Sequence, residues 1–193
     1  MFAPSESRRY EGQPPGQHVF FGDNMNLFKQ VTLAAVISAA TLGAAYAQSG
    51  TVKIAFIDPL SGPFAPVGQN QLRAWQIMAD YANTKKWAGD VKFEVVGFDG
   101  KGSPQESLTV LKQIIDQGIR YVTQGNGSGV AIALSDAIQK HNERNPGKEI
   151  VYLNYAAVDP SLTNERCNFW HFRLDVNADM KMEALTSYMQ KNQ

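Results

Sequence analysis

Tyr121-Val122-Thr123-Gln124-Gly125-Asn126-Gly127-Ser128-Gly129-Val130-Ala131-Ile132-Ala133-Leu134 is the stretch that decides how this chain folds. The apolar run from Ile119 to Thr123 reads as a strand that enters a glycine-rich turn. From Ser128 the spacing changes to Val130, Leu134, Ala137 and Ile138, one face of a helix. Strand, tight turn and helix N-terminus in that order form the crevice where α/β sheets hold ligands. Free N–H groups of the first helical turn and the positive end of the helix dipole favour an anion there, a carboxylate or a phosphate. Ser128 is expected to be the N-cap, its hydroxyl facing the crevice. A plainer reading stands beside this one: Gly125, Gly127 and Gly129 serve only to permit a sharp turn. Two nucleotide loops fail on spacing. A dinucleotide fingerprint would need glycine at Val130 and normally follows the first strand, and a P-loop would need Lys-Ser/Thr after its last glycine. The turn reads as a small-anion site.

Outward from that turn the chain alternates strand and helix. Thr51–Ile57 reads as the first strand, ending at Asp58-Pro59, and a loop follows from Leu60 to Gly68. Leu72, Trp75, Met78, Ala79 and Ala82 mark a helix to about Thr84. Val91–Phe98 is a second strand, after which Ser103-Pro104-Gln105-Glu106 forms a capping box with proline at the first helical position. Leu108, Leu111, Ile114 and Ile115 give that helix its buried face, and Gly118 stops it. The helix after the glycine turn runs to about Asn142. Downstream, Glu149–Tyr155 is a fourth strand, Asn168–Leu174 a fifth, and Ala178–Met189 another helix. The expected fold is α/β, a doubly wound parallel sheet with helices on both faces. Right-handed crossovers then put Ser61–Val67, Asp99–Ser103, Gly125–Ser128 and Asn154–Asp159 on one edge of the sheet, lining a single cleft.

The chain has 193 residues, 44% hydrophobic, and a formal net charge of zero, so one moderate domain is expected. Balanced charge without a basic run argues against nucleic acid and anionic membranes as partners. Met25-Asn26-Leu27-Phe28-Lys29, the apolar Val31–Ala45 and Ala45-Tyr46-Ala47 together read as a secretory signal peptide over 25–47, cleaved after Ala47. Its apolar core is too short to span a membrane. Residues 1–24 read as an extension preceding the true start at Met25; Arg8-Arg9 lies too far upstream for a twin-arginine signal. Cys167 is the one cysteine, so no internal disulfide forms, and its expected role is that of a small, partly buried residue.

With these residues assembled, a resemblance emerges. Val52-Lys53-Ile54-Ala55-Phe56-Ile57-Asp58-Pro59-Leu60-Ser61-Gly62-Pro63 is followed by Gln117-Gly118-Ile119-Arg120-Tyr121-Val122 and the Gly-Ser turn. Leu153-Asn154-Tyr155-Ala156-Ala157-Val158-Asp159-Pro160-Ser161-Leu162-Thr163 and Phe172-Arg173 come next. In that order, after a signal peptide, they resemble the N-terminal lobe of type I periplasmic solute-binding proteins, the Leu/Ile/Val-binding family of ABC importers. The resemblance implies a clamshell that closes on a small solute, such as a branched-chain amino acid, in the periplasm and presents it to permease subunits. It implies a monomer, no enzyme, no cofactor and no metal. It places Ser128, with the Gly127 and Gly129 backbone, and the small residues Ala156 and Ala157 around the ligand head group. At position 158 the chain carries Val158 where the family usually has a hydroxyl, which removes a hydrogen bond of about 0.5–1.5 kcal/mol. Tyr155 and Asn126 are the candidate polar replacements, and a small aromatic acid or amide becomes the alternative ligand. In the Ser61-Gly62-Pro63 loop, Phe64 and Val67 would line the apolar part of the site, with plain loop packing as their other reading. The resemblance also implies a lobe over 48–175 and the start of a second lobe over 176–193, so a fragment is expected, with Ala178–Met189 lacking a packing partner.

Two rival classes stand against this reading. For an enzyme, His18, His141 and His171 are not near Ser128 in sequence, and no Cys/His cluster has metal-ligand spacing. Asp58 and Asp99 end successive strands, as acidic residues of phosphorelay or dinucleotide domains do, but neither has a phosphate loop beside it. The second rival is an extracellular sensory domain on the same fold, which fold alone does not separate from a transport protein. Asn126-Gly127-Ser128 formally matches a glycosylation acceptor, but reads here as the ligand turn.

Overall fold

The computed structural model describes residues 50–192. The signal-peptide reading of 25–47 and the extension before it lie outside the described residues. Strands β1 (Thr51–Asp58), β2 (Lys92–Asp99), β3 (Tyr121–Gln124), β4 (Val151–Asn154) and β5 (His171–Arg173) form one parallel sheet in the order β2-β1-β3-β4-β5. Helices α1 (Ala65–Thr84), α2 (Pro104–Asp116) and α3 (Ser128–Arg144) make the crossovers, and α4 (Ala178–Lys191) follows β5. The predicted doubly wound architecture is the one observed.

Strand alternation shows which face each helix covers. Phe56 and Val95 point to one side and pack with Ala79 of α1, with Leu72, Trp75 and Tyr155 around them. Ala55, Ile57, Val122 and Tyr152 point to the other side and meet Leu111 and Ile114 of α2 and Leu134 and Ile138 of α3. This second cluster is the larger core, and each fully buried aliphatic in it contributes about 1.5–3 kcal/mol.

Several local expectations are revised. Helix α1 starts at Ala65, within the segment read as loop, because Pro66 sits comfortably in a first turn. Its buried side is narrower than expected: Ala79 and Ala82 are buried, but Met78 is 52% exposed. The start of α1 lies so close to the β1 exit that a Cβ at Gly68 would stand 2.0 Å from the Pro59 carbonyl oxygen, so only glycine fits. In α2, Ser103 caps Glu106 N–H as expected, but Ser107 and Val110 are buried where Leu108 and Ile115 are only half-buried. Strands β4 and β5 are shorter than predicted, and a 3₁₀ turn, Pro160–Thr163, tucks Leu162 into the core between them. Cys167 is exposed, not partly buried, because it lies in the turn beyond that segment. Helix α4 is capped by Asn177, which accepts Met180 N–H at 2.9 Å, and buries none of its residues. Among the described residues no helix is long and apolar enough to cross a membrane.

Candidate functional site

Parallel pairing brings Asp58 of β1, Asp99 of β2, Gln124 of β3 and Asn154 of β4 to the same edge of the sheet, each ending its strand. The loops that leave these four residues meet there, as the topology requires. Each strand-end side chain holds loop backbone. Asp99 Oδ1 accepts the N–H groups of Leu60 and Lys101, both at 2.9 Å. Partial burial opposes ionisation of Asp99, but bonds from Ser61, Leu60 and Lys101 outweigh it and hold its carboxyl below the usual range. Asn154 Oδ1 accepts Ala157 N–H at 2.7 Å and Ala156 N–H at 3.2 Å, and its Nδ2 donates to the Ala157 carbonyl at 2.9 Å. Buried Gln124 donates to the Asn126 carbonyl at 2.7 Å and accepts the Tyr152 hydroxyl at 2.6 Å.

Asp58 is the hub. It is 2% exposed, and its carboxylate accepts Asn126 N–H at 2.9 Å, Gly125 N–H at 3.3 Å and the Tyr155 hydroxyl. Burial pushes its carboxyl above the usual range, and the bonds from Tyr155, Asn126 and Gly125 pull it part of the way back. Burial and then the charge of Asp58 push the Tyr155 phenol far above its ordinary value, so this hydroxyl remains a donor. The Asn126 amide donates to Gln71 Oε1 of α1 and lies 3.3 Å from the Tyr155 oxygen, which is itself 2.7 Å from Gln71 Oε1. Tyr155 stacks on Phe56, ring centroids 5.9 Å apart, and its ring lies where a Cβ on Gly125 would stand.

The sequence-derived candidates separate into groups. Gly127, not Ser128, is the N-cap of α3: its φ of 93° suits glycine, and Ser128 is the first helical residue with its hydroxyl outside any cap. The N–H groups of Gly127, Ser128 and Gly129 belong to the cap and first turn, where no intrahelical acceptor exists, while Val130 and Ala131 donate back to the Gly127 carbonyl. Gly127 and Gly129 are exposed and Ser128 half-buried at the crevice. Asn126 and Tyr155 are brought together, but their polar atoms engage each other, Gln71 and Asp58. Ala156 and Val158 are half-buried, whereas Ala157 sits in the core at 2% exposure. Ser61 is exposed and bonded to Asp99, and Phe64 and Val67 stand open to solvent at 66% and 48% exposure.

Asp58, Gln71 and Gln124 are the residues that sequence reasoning missed. The position of Asp58 at a strand end was visible, but its partners are 67 to 97 positions away in the chain. His171 and His141 stand apart from Ser128: His171 packs on Tyr152, and His141 bonds the Lys148 carbonyl at 3.1 Å. A hollow of about 290 Å³ between Thr51–Lys53 and Gln117–Tyr121 lies at the strand starts, the edge opposite the crevice. Among the described residues no group of three or more His, Cys, Asp or Glu is placed to hold a metal ion.

A doubly wound lobe with a helix N-terminus open at the carboxyl edge of its sheet is the architecture of a small-ligand binder. Residues 51–193 match the family model described as periplasmic binding protein, and the chain belongs to that family. Leu/Ile/Val-binding protein homolog 4 of Brucella abortus (strain 2308) is 32% identical over 163 residues, 83% of this chain and 39% of the relative. Leu/Ile/Val-binding protein homolog 3 of Brucella melitensis biotype 1 is 28% identical over 163 residues, 83% of this chain and 41% of the relative. The crystal structure of the leucine-, isoleucine-, valine-, threonine- and alanine-binding protein from Brucella ovis, in its closed conformation, matches with a TM-score of 0.59 and 33% identity. That match covers 66% of this chain and 33% of the other. The chain thus spans about two fifths of the length of the curated relatives.

Proposed function

We propose that this chain contributes the first lobe of the substrate-binding component of an ABC importer, capturing a branched-chain or related amino acid in the periplasm for membrane permease subunits. The observation that carries the reading is the start of α3. Three consecutive N–H donors, Gly127 to Gly129, and the Ser128 hydroxyl stand at the open edge of the sheet, suited to a carboxylate. The names of the relatives support an amino-acid solute. In this reading Gly127, Ser128 and Gly129 hold the carboxylate and Ala156 with Val158 shapes the space beside it. Asn126 and Tyr155 brace the turn from behind, and Phe64 and Val67 border the apolar end. Residues 48–175 form the lobe, 176–193 begin the second, and a signal peptide over 25–47 directs export. The chain acts as a binder, without catalysis.

Val158 favours a second ligand class, a small aromatic acid or amide, because it offers no hydroxyl to an amino-acid head group. Isothermal titration with L-leucine, L-threonine, benzoate and benzamide tests the reading. Binding of an amino acid supports it, binding only of benzoate or benzamide transfers it to the second class, and heat from none of the four overturns solute capture.

A further inference from the structure

We propose that Asp58 is a positioning residue for this site, its buried carboxylate fixing both ligand-facing segments at once. The inference rests on the solute-binding reading of the α3 turn. Three donors converge on Asp58 from two separate loops: the Gly125 and Asn126 N–H groups from the turn after β3, and the Tyr155 hydroxyl from the segment after β4. An ionised carboxylate, which only accepts, suits three donors as no neutral side chain does. By taking the first two N–H groups of the turn, Asp58 turns them toward the sheet and leaves the next three, Gly127 to Gly129, as the donors presented at the crevice. Gln71 adds a tie from α1 to the turn after β3, its Oε1 accepting from the Asn126 side-chain amide beside the Tyr155 hydroxyl. None of these contacts is needed to form the strands, because β1 pairs with β2 and β3 through backbone alone.

The same geometry sets a charge preference. Asp58 Oδ1 lies 2.9 Å from Asn126 N, two residues before Ser128, so a negative charge stands directly behind the anion-favouring turn. Such a charge weakens the hold on a bare anion more than on a zwitterion, whose ammonium group offsets it. The site therefore selects an overall neutral solute that carries a carboxylate.

Asp58→Asn, Gln71→Leu and the parent protein, each compared with L-leucine and with 4-methylpentanoate, its deaminated monoanion, test this by calorimetry. Amide hydrogen exchange over residues 124–130, measured without ligand, provides an arm independent of binding. The expected result is a leucine preference in the parent, and in Asp58→Asn a leucine affinity lower by about tenfold or more, with the leucine-to-4-methylpentanoate ratio reduced. Exchange over 124–130 should rise in both variants while that over 92–99 stays unchanged, and Gln71→Leu should leave the ratio unaltered. Equal losses for both ligands, or unchanged exchange over 124–130, would overturn the proposal. Should Asp58→Asn fail to fold, Tyr155→Phe, which removes one of the three donors, replaces it in the exchange arm. If the parent binds neither ligand, the solute reading fails, and exchange still decides whether Asp58 orders the turn.

Discussion

Asn142 of α3 replaces a strand neighbour for Ile150: its Oδ1 accepts Ile150 N–H at 2.8 Å, and its Nδ2 donates to the Ile150 carbonyl at 2.9 Å. Both residues are buried, so the helix fixes where β4 begins by satisfying the backbone just ahead of it. Asn83 of α1 does the same for Phe93 in β2, at 2.8 and 2.7 Å. Replacing Asn142 by Leu keeps the volume but leaves a buried N–H and a buried C=O without partners. The expected cost is about 2–4 kcal/mol. A urea titration checks it: the midpoint should fall at an unchanged slope, and an unshifted midpoint would contradict the pairing.

Gly125→Ala is expected to damage the crevice through Tyr155. A Cβ at Gly125 would stand 2.5 Å from two atoms of the Tyr155 ring, which is already stacked on Phe56 and hydrogen-bonded to Asp58. Overpacking of this kind costs about 1–3 kcal/mol. At Gly127 the added Cβ would meet nothing closer than Val130 at 3.8 Å, so the penalty for Ala there comes from the φ of 93° alone, about 1–3 kcal/mol. Thermal melts of the two variants should both fall. Only Gly125→Ala should be relieved by adding Tyr155→Leu, which removes the obstructing ring.

The parts of this fold that were legible in the sequence are those decided by local pattern. Val122, Leu134 and Ile138 announce a strand and a helix by spacing alone, and Ser103 announces its cap. What was not legible depends on pairs distant in the chain. Asp58 looked like an isolated acid at a strand end until the sheet set it beside Gly125 and Tyr155. Ser128 was placed at the cap because its side chain is the usual one there; the turn gave that position to Gly127, whose φ of 93° a serine does not readily adopt. Pro66 reads as a loop residue because it stands among turn residues flanking Phe64, but in the first turn of a helix its missing N–H costs nothing. Phe64 and Val67 have two readings in the sequence, apolar lining and plain loop packing, and their exposure on this lobe does not separate the two.

Ser128→Ala separates binding from stability. The Ser128 hydroxyl makes no cap bond, so its removal should change folding stability by less than about 0.5 kcal/mol. The affinity for the solute should fall by about 2- to 10-fold, the worth of one hydrogen bond. Calorimetric titration alongside a denaturant melt checks both. A loss of stability equal to the loss of binding energy would return the hydroxyl to a structural role.

His171 should give the fold a sensitivity to mild acid. It is 8% exposed, its ring centroid lies 5.0 Å from that of Tyr152, and its Nε2 has no partner among the described residues. Burial lowers its pKa, a bond with the Leu162 backbone works against that, and the charge of Arg173 lowers it further. The unfolded chain, whose imidazole titrates near about 6.5, then takes up a proton at a higher pH than the folded one does. Stability from this residue is therefore full above that value and falls as pH drops through it toward the lower folded pKa. His171→Phe keeps the contact with Tyr152 and removes the titration. Across pH 8 to 5 (a range of about three units around the free imidazole value) the melting temperature of the parent should fall relative to that of His171→Phe. A difference that stays constant across the range would show that His171 protonates equally in both states.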